Sequence, residues 1–244
     1  MDINTNNNEH NLRICSLNIA GFNRCNWLYV QQLIDSNDFV LLQELWLHSS
    51  EGHRITENLN NVSMHFVSGM PDDIIHSGRP YGGCCILWKS SLKCRITPIP
   101  SKNRRICAVN LDLNDIPLMI INVYMPCDTQ VDNHPNQTEY NEVLDAITLL
   151  CHLSNPDRIV IGGDLNTELS RRLSAHTRSL LRYATEENFA FLNTLPCYEV
   201  DYTHESDAHH TRSILDHFLV SEELLLCVDH VLCDHNALNS SDHS

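Results

Sequence analysis

The chain has 244 residues, enough for one large domain with a substantial core, and its 42% hydrophobic and 19% charged residues exclude a disordered chain. Acidic residues outnumber basic ones by 31 to 16, and the formal net charge of −15 excludes a protein that coats nucleic acid through bulk positive charge. An enzyme that touches nucleic acid locally, through a metal and a few arginines, remains compatible with that balance.

Met1 to Asn11 is polar and asparagine-rich, with neither a basic start nor an apolar stretch, so residues 1–11 are expected to form a polar tail and not a secretory signal. No run of about eighteen apolar residues occurs, so no transmembrane helix is expected. Leu12 to Asn18 is a strand candidate. Trp27 to Ile34 has helical apolar spacing, and Phe39 to Gln43 is a compact apolar run typical of a buried strand. Gly82 to Trp88 and Cys94 to Ile99 read as strands. Ile106 to Leu113 alternates with period two, and Asn114-Asp115 then offers a hairpin turn into the apolar strand Ile116 to Tyr124. Thr138 to Leu153 reads as an amphipathic helix with Pro156 beyond its end. Arg158 to Ile161 is a buried strand running into Gly162-Gly163. Ser174 to Asn188 is a second helix, and Ile214 to Val220 and Cys227 to Leu232 are late strands.

Strands dominate, both in hairpins and with helices between them. That favours an α+β fold of two mixed sheets packed face to face with helices outside, over a doubly wound parallel sheet. No G-x-G-x-x-G follows the first strand, and no G-x-x-x-x-G-K-[ST] occurs, and both facts count against a dinucleotide-binding protein. The eleven cysteines are an odd number with no C-x-x-C pair. Cys15, Cys84, Cys85, Cys107, Cys151 and Cys227 sit in apolar runs, which points to buried free thiols in a reducing compartment.

Polar residues gather at the ends of the apolar strands. Asn18 closes the first and Glu44 follows the next. Asn122 and Tyr124 end another, and Asp164 and Asn166 follow Ile159-Val160-Ile161 in Gly162-Gly163-Asp164-Leu165-Asn166. Asp216 enters a strand, and Asp242-His243 stand in Ser241-Asp242-His243. Each has a bland alternative: a solvated loop start for Glu44, a strand-end cap for Asn18, a satisfied core hydroxyl for Tyr124, a frayed tail for Asp242-His243. Together they would supply carboxylates for a hard cation, amides for an oxyanion and a His paired with an Asp. That set suits hydrolysis of a phosphate ester.

The order Leu17-Asn18, Gln43-Glu44, Asn122-Val123-Tyr124-Met125-Pro126, Gly163-Asp164-Leu165-Asn166, Leu215-Asp216-His217-Phe218 and Ser241-Asp242-His243 resembles the endonuclease/exonuclease/phosphatase superfamily, which includes deoxyribonuclease I and the apurinic endonucleases. The resemblance spans Leu12 to Ser244. In Leu42-Gln43-Glu44-Leu45-Trp46-Leu47, Gly82 to Trp88 and Asp216 to Ser221 it is most similar to the endonuclease domain of non-LTR (LINE-type) retrotransposons. It implies a four-layer sandwich over 12–244, with Glu44 as principal metal ligand and Asn18 and Asp242 beside it. Mg²⁺ is the implied cofactor, with Mn²⁺ as a substitute. Asp164 would deprotonate the attacking water, Asn166 bind a phosphate oxygen, and His243, fixed by Asp216, stabilise developing charge. Tyr124 would line the phosphate.

Two departures qualify the resemblance. The carboxylate that apurinic endonucleases carry two residues beyond the first Asn is Ala20 here, which favours one metal and is common in retroelement endonucleases. Relatives also continue past Ser-Asp-His with another core strand, so the domain is expected to be truncated, with that strand missing.

The implied reaction is nicking of one strand of duplex DNA to leave a 3′ hydroxyl, which a reverse transcriptase domain in a longer parent polypeptide would extend. Substrate contacts are sought in Arg178 and Arg182 on the second helix, in Thr203 and Arg212, and in a Lys102, Arg104 and Arg105 cluster. His204, His209 and His210 are expected to be exposed or weak phosphate contacts. A monomer inside the cell, at the nucleus, is expected. The alternatives are the same fold acting on abasic DNA, RNA tails, inositol phosphates or sphingolipids, or an inactive copy.

Overall fold

The computed structural model describes the chain outside residues 4–10, 73–77, 114–115, 130–134, 197, 199 and 207–209. The turn expected at Asn114-Asp115 and His209 lie outside the described residues. Strands β1 (Asp2–Ile3), β2 (Leu12–Asn18), β3 (Phe39–Gln43), β4 (Val62–Val67) and β5 (Cys84–Lys89) come first, with helices α1 (Trp27–Ser36) and α2 (His53–Thr56) between them. Then follow β6 (Arg95–Ile99), β7 (Ile106–Leu113), β8 (Ile116–Tyr124), α3 (Pro135–Ser154), β9 (Arg158–Asp164), α4 (Ala175–Glu186) and β10 (Phe189–Phe191). The chain finishes with β11 (His204–Glu205), β12 (Arg212–Ser213), β13 (Asp216–Ser221), α5 (Glu222–Leu225) and β14 (Val228–His230).

Two six-stranded sheets form, in the orders β14-β1-β2-β3-β5-β4 and β10-β13-β9-β8-β7-β6. Among the described residues, only β2 with β3 and β8 with β9 pair parallel. Each of those connections carries a helix, as a parallel crossover requires. The continuous apolar run of β3 is explained by burial on both faces. Phe39 and Leu41 join the layer between the sheets, with Ile14, Ile86, Val109, Ile120 and Val160. Val40 and Leu42 face α1, with Tyr29, Val30 and Ile34. A third apolar layer lies under α3 and α4, around Tyr140, Val143, Ile147, Leu180 and Tyr183. The expected four-layer α+β sandwich is the observed one.

Several boundaries differ from expectation. Asp2–Ile3, read as polar tail, pairs with both β2 and β14. β5 begins at Cys84 because Gly82 and Gly83 turn with φ of 61° and 95°. β9 runs on through the glycines to Asp164, and β13 begins at Asp216. At Gly163 (φ 138°) an added Cβ would lie 2.1 Å from the Val123 carbonyl oxygen, so only glycine lets β9 lie this close to β8. β4 was not anticipated, although Val62, Met64 and Phe66 carry its period-two pattern. Beyond Ile14, β2 has a strand partner on the β3 side alone among the described residues. Cys84, Cys85, Cys107 and Cys151 are buried free thiols as expected, whereas Cys15 and Cys227 are only half-buried.

The sheets are joined by side-chain amides as well as by apolar packing. Gln43 Nε2 donates to Asn122 Oδ1 at 2.6 Å, and Asn122 Nδ2 donates to the carbonyls of Leu42 and Cys85 at 2.8 Å each. Asn122, a strand-end candidate for chemistry, is therefore a fully buried cross-sheet clamp. Asn122→Leu keeps the branched four-atom side-chain skeleton and removes every one of these bonds. It is expected to cost on the order of 2–3 kcal/mol, read as a lower urea midpoint, because buried carbonyls lose their donor. An unchanged midpoint contradicts the clamp.

Candidate active site

Strand register brings the strand-end residues together. Tyr124 on β8, Asp164 on β9 and Asp216 on β13 occupy one cross-strand row, since Tyr124 pairs with Asp164 and Asp164 with Asp216. Across the layer between the sheets, Asn18 pairs with Gln43 at the ends of β2 and β3, and Glu44 follows immediately. Asn18 spans the gap between the sheets. Its Nδ2 donates to Glu44 Oε1 and to Asp164 Oδ2, both at 2.9 Å, while its Oδ1 accepts from the Ala20 N–H at 3.1 Å. The amide thus gives its NH₂ to two carboxylates, while its oxygen accepts one backbone N–H.

Glu44 is held from three sides. Besides Asn18, Trp46 Nε1 donates to its Oε2 at 2.9 Å, and the Tyr124 hydroxyl hydrogen-bonds to it. Burial, followed by the Glu44 charge, pushes the Tyr124 phenol far up, so it stays neutral and donates. Trp46 reaches back because Glu44 and Trp46 both adopt left-handed backbone, with φ of 54° and 55°. Its ring lies on Gly21, where a Cβ would stand 2.2 Å from Trp46 Cε3. The Arg79 guanidinium covers the ring at 3.7 Å from its centroid. Ala20 and Asn166 are also left-handed, with φ of 47° each. Such backbone in non-glycine residues costs energy and concentrates at functional sites.

Asn166 wraps Asp164. Its N–H donates to Asp164 Oδ1 at 2.9 Å, and its Nδ2 donates to Asp164 Oδ2 at 3.2 Å and to the Met125 carbonyl at 2.9 Å. His243 stands on the other side, with Nδ1 2.8 Å from Asp216 Oδ2 and Nε2 3.9 Å from Asp164 Oδ2. Backbone bonds fasten its segment, from the Ser244 N–H to the Thr203 carbonyl and from the Glu205 N–H to the Asp242 carbonyl. Ser241 Oγ donates to the Asn18 carbonyl at 2.6 Å. Thr203 is buried, and its hydroxyl oxygen accepts the N–H groups of Leu215 and Asp216, so it builds the start of β13. His204, expected to be exposed, is half-buried. It pairs with Asp242 at 3.5 Å, and its ring centroid is 4.8 Å from that of His243.

The expected basic contacts divide. Arg212 stands beside the cluster on β12, paired with Glu205 at 3.2 Å and stacked over Tyr202. Arg178 donates to the Leu173 carbonyl, and Arg182 is 3.9 Å from Glu186 on the exposed side of α4. Neither touches the Asn18–Glu44–Asp164–His243 network. Arg104 donates to the Met70 carbonyl, and Arg105 braces the Tyr124 carbonyl and Glu139. Sequence reasoning did not assign a role to Trp46 or Arg79. A tryptophan two residues after a strand-end Glu was the available signal for the first, and nothing local marked the second.

Burial shapes the electrostatics. Asp164 and Asp216 are 1% and 6% exposed, and Asp216 Oδ1 has no hydrogen-bond partner. Burial first, and the Asp216 charge second, raise the Asp164 carboxyl above the usual carboxylate range. Burial alone would lower His243, but the Asp216 charge and hydrogen bond outweigh it and push the imidazole up to about 10. Two groups of potential metal-ligating atoms converge here, Asp164–Asp216–His243 and His204–Asp242–His243. The buried carboxylates exceed the one buried imidazolium, and an orphaned oxygen remains, so the donor set suits a divalent cation.

Because the folded value of His243 lies above its unfolded value of about 6.5, its stabilisation is complete below that pH and is lost as pH rises through about 10. Metal-free protein should therefore show imidazolium ring signals from His243 at pH 8 in ¹⁵N-resolved spectra. Its melting temperature should fall from pH 7 to 10, with a smaller fall in Asp216→Asn. A His243 midpoint below 7 contradicts this.

A family model described as the endonuclease/exonuclease/phosphatase family matches residues 15–243. No curated protein sequence matches the chain. Among solved structures, the endonuclease domain of TRAS1, a telomere-specific non-LTR retrotransposon, superposes with a TM-score of 0.69 at 16% identity, covering 95% of this chain and 94% of that one. A 3′ phosphatase, NExo, from Neisseria, bound to a product DNA hairpin, gives 0.69 at 16% identity over 95% and 96%. The AP endonuclease LMAP from Leishmania major gives 0.65 at 19% over 95% and 85%. Identities this low carry the fold, which is that of deoxyribonuclease I, and the match over 15–243 carries the family: the chain belongs to the endonuclease/exonuclease/phosphatase family.

Proposed function

We propose that the protein is a divalent-metal-dependent phosphodiesterase that nicks one strand of duplex DNA and leaves a 3′ hydroxyl for a reverse transcriptase domain in a longer parent polypeptide. The observation that carries this reading is the convergence of Asp164 with Asn18, Asn166 and the His243–Asp216 pair beside Glu44. The likeness to a retrotransposon endonuclease domain favours DNA over other phosphoesters. Mg²⁺, with Mn²⁺ as a substitute, suits the oxygen donors. Glu44 with Asp242 would hold it, and when bound it polarises a phosphoryl oxygen and offsets developing charge. Asn18 serves as the donor that fixes Glu44 against Asp164.

The chain's own groups then divide the chemistry. Asp164, with its raised proton affinity, accepts the proton of the attacking water. Asn166 and Tyr124 orient the phosphate. The His243 imidazolium, kept charged by Asp216, stabilises negative charge at phosphorus as the bond to the leaving oxygen breaks. Arg212 and Arg79 supply positive charge at the rim for the DNA backbone, and Arg178 and Arg182 on α4 would meet only a duplex that extends beyond the cluster. The reading places the protein at nuclear DNA as a monomer. No helix among the described residues is long and apolar enough to cross a membrane.

Supercoiled plasmid should become open circle with Mg²⁺ and stay intact with EDTA. Asp164→Asn and His243→Gln should each slow nicking by about 10²–10⁴-fold while still melting cooperatively, with His243→Gln melting lower because buried Asp216 loses its imidazolium partner. Intact plasmid from a folded protein overturns the DNA assignment, and cleavage of abasic duplex, poly(A) or an inositol phosphate would then identify the substrate. Trp46→Phe keeps the ring on Gly21 and deletes the donor to Glu44. It should raise the Mg²⁺ concentration needed for half-maximal rate by about ten- to a hundredfold, with the rate at saturating Mg²⁺ preserved. A fall in that maximal rate at unchanged Mg²⁺ dependence contradicts a positioning role for Trp46.

A further inference from the structure

A second group of metal-ligating side chains lies outside the Glu44–Asp164–His243 cluster. Asp201, Cys233 and His235 bring a carboxylate oxygen, a thiol sulfur and a ring nitrogen within 4.8 Å of one another. Two chain segments supply them: the residues entering β11, and those following β14.

The group is organised around its ligand atoms. His235 points Nε2 at Asp201 Oδ1, 2.9 Å away, and its Nδ1 meets Ser244 Oγ at 3.0 Å. A partner on the second ring nitrogen is what fixes the tautomer and ring plane of a metal-binding histidine. The Tyr202 ring stacks on His235 at 4.2 Å and 19°, and Arg212 covers Tyr202 at 4.2 Å. The Cys233 thiol donates to the Tyr202 carbonyl at 3.0 Å and is half-buried. Asp201 Oδ1 also accepts the Tyr202 N–H at 2.8 Å.

We propose that Asp201, Cys233 and His235 bind a borderline-soft divalent transition metal, Zn²⁺, as a site separate from the Glu44–Asp164–His243 cluster. Sulfur, imidazole and a single carboxylate are zinc donors and poor ones for Mg²⁺, so the two sites would select different ions. Three protein donors leave the fourth tetrahedral position to water. On binding, the sulfur–hydrogen bond breaks, the thiol proton leaves to solvent and a sulfur–metal bond forms. Burial, with Asp201 next among the causes, otherwise pushes that thiol up to about 12, so the thiol stays protonated without a cation. The bound metal would tie the segment after β14 to the residue pair that precedes Thr203, and so brace the base of the His243 segment.

The test uses the full chain, stripped of metal and titrated with Co²⁺ as a spectroscopic stand-in and then with Zn²⁺. A near-ultraviolet thiolate-to-cobalt charge-transfer band should grow to one equivalent, be displaced by Zn²⁺ and survive a large excess of Mg²⁺. Cys233→Ser should abolish the band, and His235→Ala should weaken or abolish it. Cys127→Ser, which removes an exposed thiol elsewhere, should leave it intact. Ser244→Ala should weaken binding by about ten- to a hundredfold. Melting of each metal-free variant checks its fold. An absent band, or one that persists in folded Cys233→Ser, overturns the proposal and leaves an Asp201–His235 ion pair alone. Plasmid nicking plays no part in this readout, so it stands or falls apart from the nuclease reading.

Discussion

Everything at the candidate active site depends on how one sheet sits over the other, and two buried amides set that position. Apolar layers resist separation, but they resist sliding poorly. The bonds from Gln43 to Asn122, and from Asn122 to the carbonyls of Leu42 and Cys85, are directional and lie in a dry interior. They sit immediately behind the point where Asn18 reaches from Glu44 on one sheet to Asp164 on the other. The chemistry is therefore built across a seam, and the seam is pinned beside it. A shift of an ångström between the sheets would leave every strand intact and part the carboxylates from their shared donor.

Local backbone strain and burial then work in the same direction. Left-handed Ala20, Glu44, Trp46 and Asn166 redirect the chain just beyond the ends of three strands, β2, β3 and β9. The reward is a set of carboxylates and one imidazolium with little solvent to reorganise. The same burial makes the set unbalanced in charge, since Asp216 keeps one oxygen without a partner. Rigid placement and a buried carboxylate oxygen without a partner set this cluster apart from a closed structural ion-pair network, which would satisfy its own charges.

Strand-end chemistry was legible in the sequence because apolar runs stop abruptly at polar residues. The spans of β2, β3, β7 and β8 could be read to the residue, since continuous or alternating apolar patterns fix both faces. Boundaries at glycine were misjudged in both directions. Gly82 and Gly83 turn the chain ahead of β5, while Gly162 and Gly163 continue β9, and the difference lies in the tertiary approach of Val123 and Phe218. Short strands such as β1, β11 and β12 carry too few residues to show a period. Thr203 resembled a site-lining hydroxyl, yet its oxygen serves two backbone N–H groups, a fact set by the fold of 201–216 alone. Arg178 and Arg182 shared a helix face correctly, but the face's distance from the cluster depends on layer packing. Trp46 and Arg79 became visible only once Gly21 and the left-handed turn at Glu44 were placed.

The bond from Asn18 to Asp164 closes 146 residues, and that from Ser241 to Asn18 closes 223. Loop closure of this length is deferred until shorter pairings have narrowed the chain's freedom. During synthesis, the half that contains Glu44 emerges with its Asn18 donor but before Asp164, Asp216 and His243 exist. Competence then arrives in one step, when the Asp216 strand and the Ser241–His243 segment seat against β2 and β9. A cluster assembled from segments this far apart is thereby incomplete until residues 241–243 have been made and seated.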